Sequence, residues 1–321
     1  SEIPALGRLY AGAVGSAAKS RLSPSKAAGA LTADRHVVRG ASVDLARLTD
    51  FQRLVLHSAS DYLPTGYVHT FAFPVAMSLM AREDFPLPLL GMVHLRNEVQ
   101  HLRPIHYGEA LTVTAWAENL AGHRAGTQVE LVAEVTVDAD GGAETVWRGR
   151  STYLAKGVFL PKFDRPDKSA VRAEFVPPLP TALWRLGADA GRNYARVSGD
   201  FNPIHLSRLS AKALGMKQSL AHGMYLASRV VGDSVQTHEG PFQWSIDFES
   251  PVFLPATVAV AISDEQAADG WCGSTFTGWN PRSQRRHFSG TVAPLAPAGG
   301  PNGGGTACLA LLTAARRCQC H

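Results

Sequence analysis

Residues 103–115 read RPIHYGEALTVTA and residues 250–262 read SPVFLPATVAVAI, and the two segments superimpose without a gap at an offset of 147 residues. Pro104 meets Pro251, Ile105 meets Val252, Leu111 meets Val258 and Val113 meets Val260. Each copy follows an alternating stretch, HLRNEVQHL (94–102) and FQWSIDFE (242–249), with the period of a half-buried strand. Proline has no N–H to give to a ladder, so Pro104 and Pro251 each predict a break or bulge between strands. A match of the chain to itself at a fixed offset is the mark of a repeated unit.

The repeat extends in both directions. Strand-like runs follow at 128–137 and 145–153 in the first copy, and at 271–279 and 286–292 in the second. Ahead of the strands lies a helix-like segment in each: 68–80 (VHTFAFPVAMSLM) after Pro64-Thr65-Gly66, and 224–231 (MYLASRVV) after Ala221-His222-Gly223. Each half thus reads as one helix followed by an antiparallel sheet, an α+β arrangement. The expected organisation is an N-terminal extension over 1–45, a first half over 46–155, a linker over 156–180, a second half over 181–293 and a flexible tail over 294–321. Pro161, Pro166, Pro177, Pro178 and Pro180 interrupt the linker, and PLAPAGGPNGGG (294–305) opens the tail. The first 45 residues, rich in Ala, Gly and Ser, read as a loosely ordered arm.

Composition bounds the function. At 321 residues the chain has room for two domains or one duplicated unit, and 45% hydrophobic against 18% charged residues excludes disorder for the bulk of it. It contains no apolar run long enough for a transmembrane helix, and no secretory leader is expected. With a net charge of +4 and no basic stripe interleaved with aromatics, no nucleic-acid partner is expected. Of the four cysteines, Cys308, Cys318 and Cys320 crowd the end and only Cys272 lies in the body, a distribution that fits a reducing, cytoplasmic setting. Their spacing with His321 matches no zinc motif, and no metal is expected.

The chemistry concentrates in YARVSGDFNPIH (194–205) and AHGM (221–224). Gly199 and Pro203 break regular structure around Asp200, Asn202 and His205, so a carboxylate, an amide and an imidazole share a tight turn. Gly223 opens an apolar helix, where main-chain N–H groups lack internal partners and an oxyanion is stabilised. Taken singly, Asp-x-Asn-Pro is an ordinary turn and a lone histidine is more often structural. The combination S-G-D-F-N-P-I-H with a downstream A-H-G-M is far more specific.

These residues, Tyr194, Ser198, Gly199, Asp200, Asn202, Pro203, His205, Ala221, His222, Gly223 and Met224, resemble the MaoC-like, or hydratase 2, group of hot-dog enzymes. The close motif covers about a tenth of the chain, and the two-copy layout extends the likeness over roughly 45–293. The resemblance implies a double hot-dog fold, each half a long helix wrapped by an antiparallel sheet. It also implies reversible hydration of trans-2-enoyl thioesters to (R)-3-hydroxyacyl thioesters in fatty-acid metabolism. Asp200 and His205 would handle the water, Asn202 would orient them, and the Gly223 N–H would hold the thioester carbonyl. Ser198, Gly199, His222 and Met224 are the flanking substrate-binding positions, with Ser198 supporting the turn.

No counterpart of the motif occurs in the first half, so that half is read as a degenerate copy. It would shape the acyl channel, with 71–80 and 92–99 as candidate lining, and stand in for a partner subunit. The chain is then a pseudo-dimer, with a homodimer of chains as a further option. The substrate is a CoA or acyl-carrier-protein thioester, and no other cofactor is implied. Arg96, Arg103, Arg208 and Lys212 are candidates to meet the carrier's phosphates, though solvated surface charge is their plainer reading. Two alternatives stay open: a hot-dog acyl-thioesterase, and a non-catalytic thioester-binding subunit of a lipid-synthesis complex.

Overall fold

Ten strands form one antiparallel sheet whose order reflects the duplication of the sequence. The structure, a computed structural model, describes residues 2–12, 30–165, 174–235, 240–267 and 270–295. Its first half contains α1 (residues 6–12), β1 (His36–Ala41), α2 (Leu45–Leu54), α3 (Thr65–Met80), β2 (Met92–His101), β3 (Leu111–His123), β4 (Gly126–Ala139) and β5 (Gly142–Lys156). The second contains β6 (Ala182–Leu186), α4 (Ala190–Ser198), α5 (Pro203–Leu206), α6 (Arg208–Ala213), α7 (Gly223–Ser234), β7 (Phe242–Phe248), β8 (Ala256–Ala267), β9 (Gly270–Trp279) and β10 (Arg286–Pro294).

The sheet runs β1-β3-β4-β5-β2-β7-β10-β9-β8-β6. Under the repeat, β1 to β5 correspond to β6 to β10, so the order reads the same from either edge. The two alternating stretches, β2 and β7, are the central pair and join the halves. At this seam the Arg96 guanidinium reaches both carboxylate oxygens of Asp247, at 2.7 and 2.9 Å. The chain has the double hot-dog fold.

Helix α3 is apolar all round because it is surrounded: every residue except Phe73 and Ser78 is buried. That burial tolerates Pro74 inside the helix, where a proline forfeits about 3 kcal/mol in an exposed one. The proline segments end strands β2 and β7 rather than bulging them. Each then pins a helix start: the Leu63 N–H donates to the Ile105 carbonyl (2.8 Å), and the Ala221 N–H to that of Val252 (2.9 Å). At the start of α3, the Thr65 hydroxyl accepts the indole N–H of Trp147 from β5 and of Trp244 from β7, both at 3.1 Å.

The N-terminal region differs from the expected loose arm. Strand β1 pairs with β3 at one edge of the sheet, and Leu6 and Tyr10 of α1 are buried in the core. Short as it is, β1 is held by the ladder and α1 by two apolar side chains, signals too brief to stand out in an Ala/Gly-rich stretch. Among the described residues, no helix is long and apolar enough to cross a membrane. The tail beyond residue 295, with Cys308, Cys318, Cys320 and His321, lies outside the described residues.

Candidate active site

Helix α4 stops at Ser198 because Gly199 takes the left-handed conformation (φ 78°, ψ 0°), its N–H turning back to the Ala195 carbonyl. The Arg47 guanidinium of α2 caps the same helix end, donating to the Val197 carbonyl at 2.6 Å. Four residues on, Pro203 opens the single turn α5, and the Asn202 side chain accepts the Ile204 N–H at 3.4 Å. Asp200 sits between these two devices. His205 lies on α5 itself, not on the turn expected for it.

Asp200 is braced on all sides. Its N–H donates to Ser198 Oγ (3.1 Å), and its Oδ1 accepts the Asn202 N–H (3.2 Å) and the Tyr10 hydroxyl (3.1 Å). His222 Nε2 lies 3.0 Å from the Asp200 carbonyl and 3.6 Å from Oδ2. His205 Nδ1 lies 2.8 Å from the Leu220 carbonyl. A carbonyl only accepts, so the ring proton of His205 sits on Nδ1 and Nε2 carries the lone pair. By the same argument His222 donates through Nε2, and its buried Nδ1 has no hydrogen-bond partner among the described residues. The two imidazoles stack with centroids 3.7 Å apart.

The electrostatics draw the pair together. Burial pushes the Asp200 carboxyl up from its ordinary value, against the opposing charge of His205. Burial pushes the His205 imidazole down, against the charge of Asp200. His222 is held neutral, first by burial and then by neighbouring His205. Tyr10, Tyr153 and Tyr194 are all pushed up, by burial first and next by the charge of Asp200, so all three stay protonated.

Asp200, His205 and His222 also bring ligating atoms within 4.8 Å of one another, a donor set that a divalent cation accepts. The hydrogen bonds commit one nitrogen of each imidazole to a backbone carbonyl and leave His205 Nε2 as the ring atom suited to proton transfer. Gly223 begins α7, so its N–H has no partner within the helix. A side chain here would crowd Phe248, whose ring lies 3.0 Å from where a Cβ would stand and would have to give way by a few tenths of an ångström. Ser198, His222 and Met224 are buried; the Ser198 hydroxyl and His222 Nε2 both engage the Asp200 backbone. Gly199 contributes backbone shape.

From Gly223 a line of rings leads into the first half: Phe248, His94 (centroids 4.9 Å apart), then Tyr153 stacked on His94 (4.5 Å). Tyr153 borders a narrow recess between α3, β4 and β5, lined also by His69, Phe73, Leu131 and Trp147. Its lining on α3 spans residues 69–76, which partly overlaps 71–80, and none of residues 92–99 borders it. Of the basic candidates, Arg96 is held by Asp247 and Glu98, and Arg103 by Glu109 and Glu144. Arg208 and Lys212 are exposed on α6. Sequence reasoning missed Tyr10, which lies 190 residues from Asp200, and Tyr153, which comes from the other half.

The chain is similar to several known proteins. Residues 171–277 match the MaoC like domain family, and residues 68–139 match the Thioesterase superfamily. The chain is 31% identical over 253 residues to 3-hydroxyacyl-thioester dehydratase X of Mycobacterium tuberculosis, covering 79% of this chain and 86% of that one. The crystal structure of HtdX from the same organism superposes with a TM-score of 0.67 at 29% identity, covering 82% of this chain and all of that one. A MaoC-like dehydratase from Phytophthora capsici shares the fold, with a TM-score of 0.61 at 16% identity over 86% of this chain and all of that one. The chain belongs to the MaoC-like dehydratase family, built as a double hot-dog.

Proposed function

We propose that this protein interconverts trans-2-enoyl thioesters and (R)-3-hydroxyacyl thioesters, with CoA or an acyl-carrier protein as the thiol. The observation that carries the reading is the Asp200–His205 pair, in which the Nδ1 contact with Leu220 leaves His205 Nε2 as base, beside the N-terminus of α7. Family membership and the dehydratase name of the M. tuberculosis relative support the reaction class.

In hydration, Asp200 and His205 hold one water, with Asn202 fixing the carboxylate through its N–H. The water oxygen bonds to C3 of the enoyl thioester, and one of its protons passes to the pair. The displaced π electrons move onto the thioester carbonyl, which the Gly223 N–H stabilises as it gains enolate character. The pair returns a proton to C2 on the same face, and dehydration runs these steps in reverse. Burial moves the Asp200 and His205 affinities toward each other, which suits a group that both takes and gives a proton near neutrality. The thioester is its own electron sink, so the route calls for neither metal nor redox cofactor. Ser198 and His222 hold the turn from behind.

The match of residues 68–139 to the Thioesterase superfamily favours a second reading, hydrolysis of the thioester. Crotonyl-CoA separates the two. Loss of enoyl absorbance that is abolished in Asp200→Asn and in His205→Ala supports the hydratase. Activity surviving both substitutions overturns the mechanism, and release of free CoA alone indicates the thioesterase.

A further inference from the structure

The half without the catalytic motif carries a polar cluster of its own. His69, at 5% exposure on α3, borders the recess and touches Phe73 and Trp147 through its ring, yet makes no hydrogen bond to any described residue. Beside it, the Ser151 hydroxyl on the recess wall donates to Asn97 Oδ1 at 2.6 Å, while Asn97 Nδ2 is buried without a partner among the described residues. His94 Nε2, on the ring stacked against Tyr153, is likewise buried and without a partner among the described residues. Of these groups His69 and Ser151 border the recess itself, and a recess built only for an alkyl chain has no use for them. Each buried donor or acceptor left facing hydrocarbon disfavours the bound state.

We infer that this recess recognises an uncharged oxygen function, a hydroxyl or keto group, carried on the acyl chain away from the reacting double bond, with His69 as its specificity-determining residue. The inference rests on the hydratase reading and names a substrate class within it. A neutral imidazole offers one N–H and one lone pair, which a hydroxyl satisfies on both sides and a keto oxygen on one. The recess lining contains no Lys or Arg, so a carboxylate or phosphate there would lack a counter-ion. Tyr153 links the two places, since it borders the recess and its hydroxyl senses the charge of Asp200. A chain whose thioester lies at Gly223 therefore runs past Tyr153 toward His69.

The test uses pairs of enoyl-CoA substrates of equal length, one with a plain alkyl tail and one with a single hydroxyl or keto group, scanned along the tail. Wild-type protein is expected to favour an oxygenated member by about tenfold in kcat/KM, the discrimination of one buried hydrogen bond. His69→Phe should abolish that preference, so that the plain and oxygenated tails of each pair give equal kcat/KM. His69→Gln, which keeps a donor and an acceptor, should retain part of the preference. Equal or lower kcat/KM for every oxygenated tail in the wild type overturns the inference, as does an equal loss on both tails in His69→Phe. If crotonyl-CoA is not hydrated at all, the hydratase reading fails first. Calorimetric titration with matched saturated acyl-CoAs then decides the recess separately: tighter binding of the oxygenated member, lost in His69→Phe, supports the inference, and equal binding refutes it.

Discussion

Replacing Tyr10 by Phe removes one oxygen atom and leaves the ring to fill the same buried space. The atom lost is the donor of the 3.1 Å bond to Asp200 Oδ1, which then keeps only the Asn202 N–H at 3.2 Å. A hydrogen bond to a charged group contributes about 1.5–3 kcal/mol, and at 3.1 Å this one is longer than the usual 2.5–2.7 Å for a hydroxyl on a carboxylate. The lower figure, about 1.5 kcal/mol, corresponds to roughly tenfold in the balance between ionised and protonated Asp200. Tyr10 stays protonated throughout, so it favours the carboxylate, and its loss raises the carboxyl affinity for protons further. His205, His222, Tyr153 and Tyr194, the other titratable groups facing Asp200, are unchanged by the substitution. The acid limb of kcat/KM for crotonyl-CoA, followed from about pH 5 to 9, should move toward higher pH. The loss should be about tenfold below that limb and should vanish above it. A limb that stays in place or moves down, or an equal loss at every pH, refutes the role given to Tyr10.

Thr65→Val leaves the indole N–H groups of Trp147 and Trp244 buried without their shared acceptor, at about 1–3 kcal/mol each. Urea unfolding should show a combined loss of about 2–6 kcal/mol, and a loss under 1 kcal/mol contradicts the shared bond. Stability should also fall on mild acidification, because burial lowers His69 to about 4 and His94 to about 3 from an ordinary 6.5. Below pH 6.5 the unfolded chain takes up protons that the folded chain refuses. Each imidazole then removes up to about 1.4 kcal/mol per pH unit until its own folded value is reached. Urea midpoints between pH 7 and 5 should show a slope that flattens in His69→Phe, and an unchanged slope excludes His69 as its source.

The fold was legible where a pattern recurs. Residues 94–102 and 242–249 alternate cleanly, and both became the central strands of the sheet. The site was legible where local chemistry sets the backbone, since Gly199 is left-handed, Asn202 caps α5 and Pro203 opens it. What sequence missed is tertiary or too short. Strand β1 has six residues and β6 five, below the length at which a period shows. Tyr10 reaches Asp200 only through folding. His69 sits in an apolar helix, where one histidine reads as packing until the recess beside it is seen.

The β2–β7 seam has a consequence for behaviour at dilution. Its strands belong to one chain, and Tyr153 from one half stands by Asp200 of the other. The covalent connection between Lys156 and Ala182 supplies the second half at an effective concentration on the order of millimolar. A site assembled from two separate subunits falls apart once the enzyme is thinned below their dissociation constant. Here the junction is unimolecular, so turnover per molecule should hold constant down to trace amounts. On the proposed reading, the half without the motif keeps a place in the active site while the other half carries the chemistry.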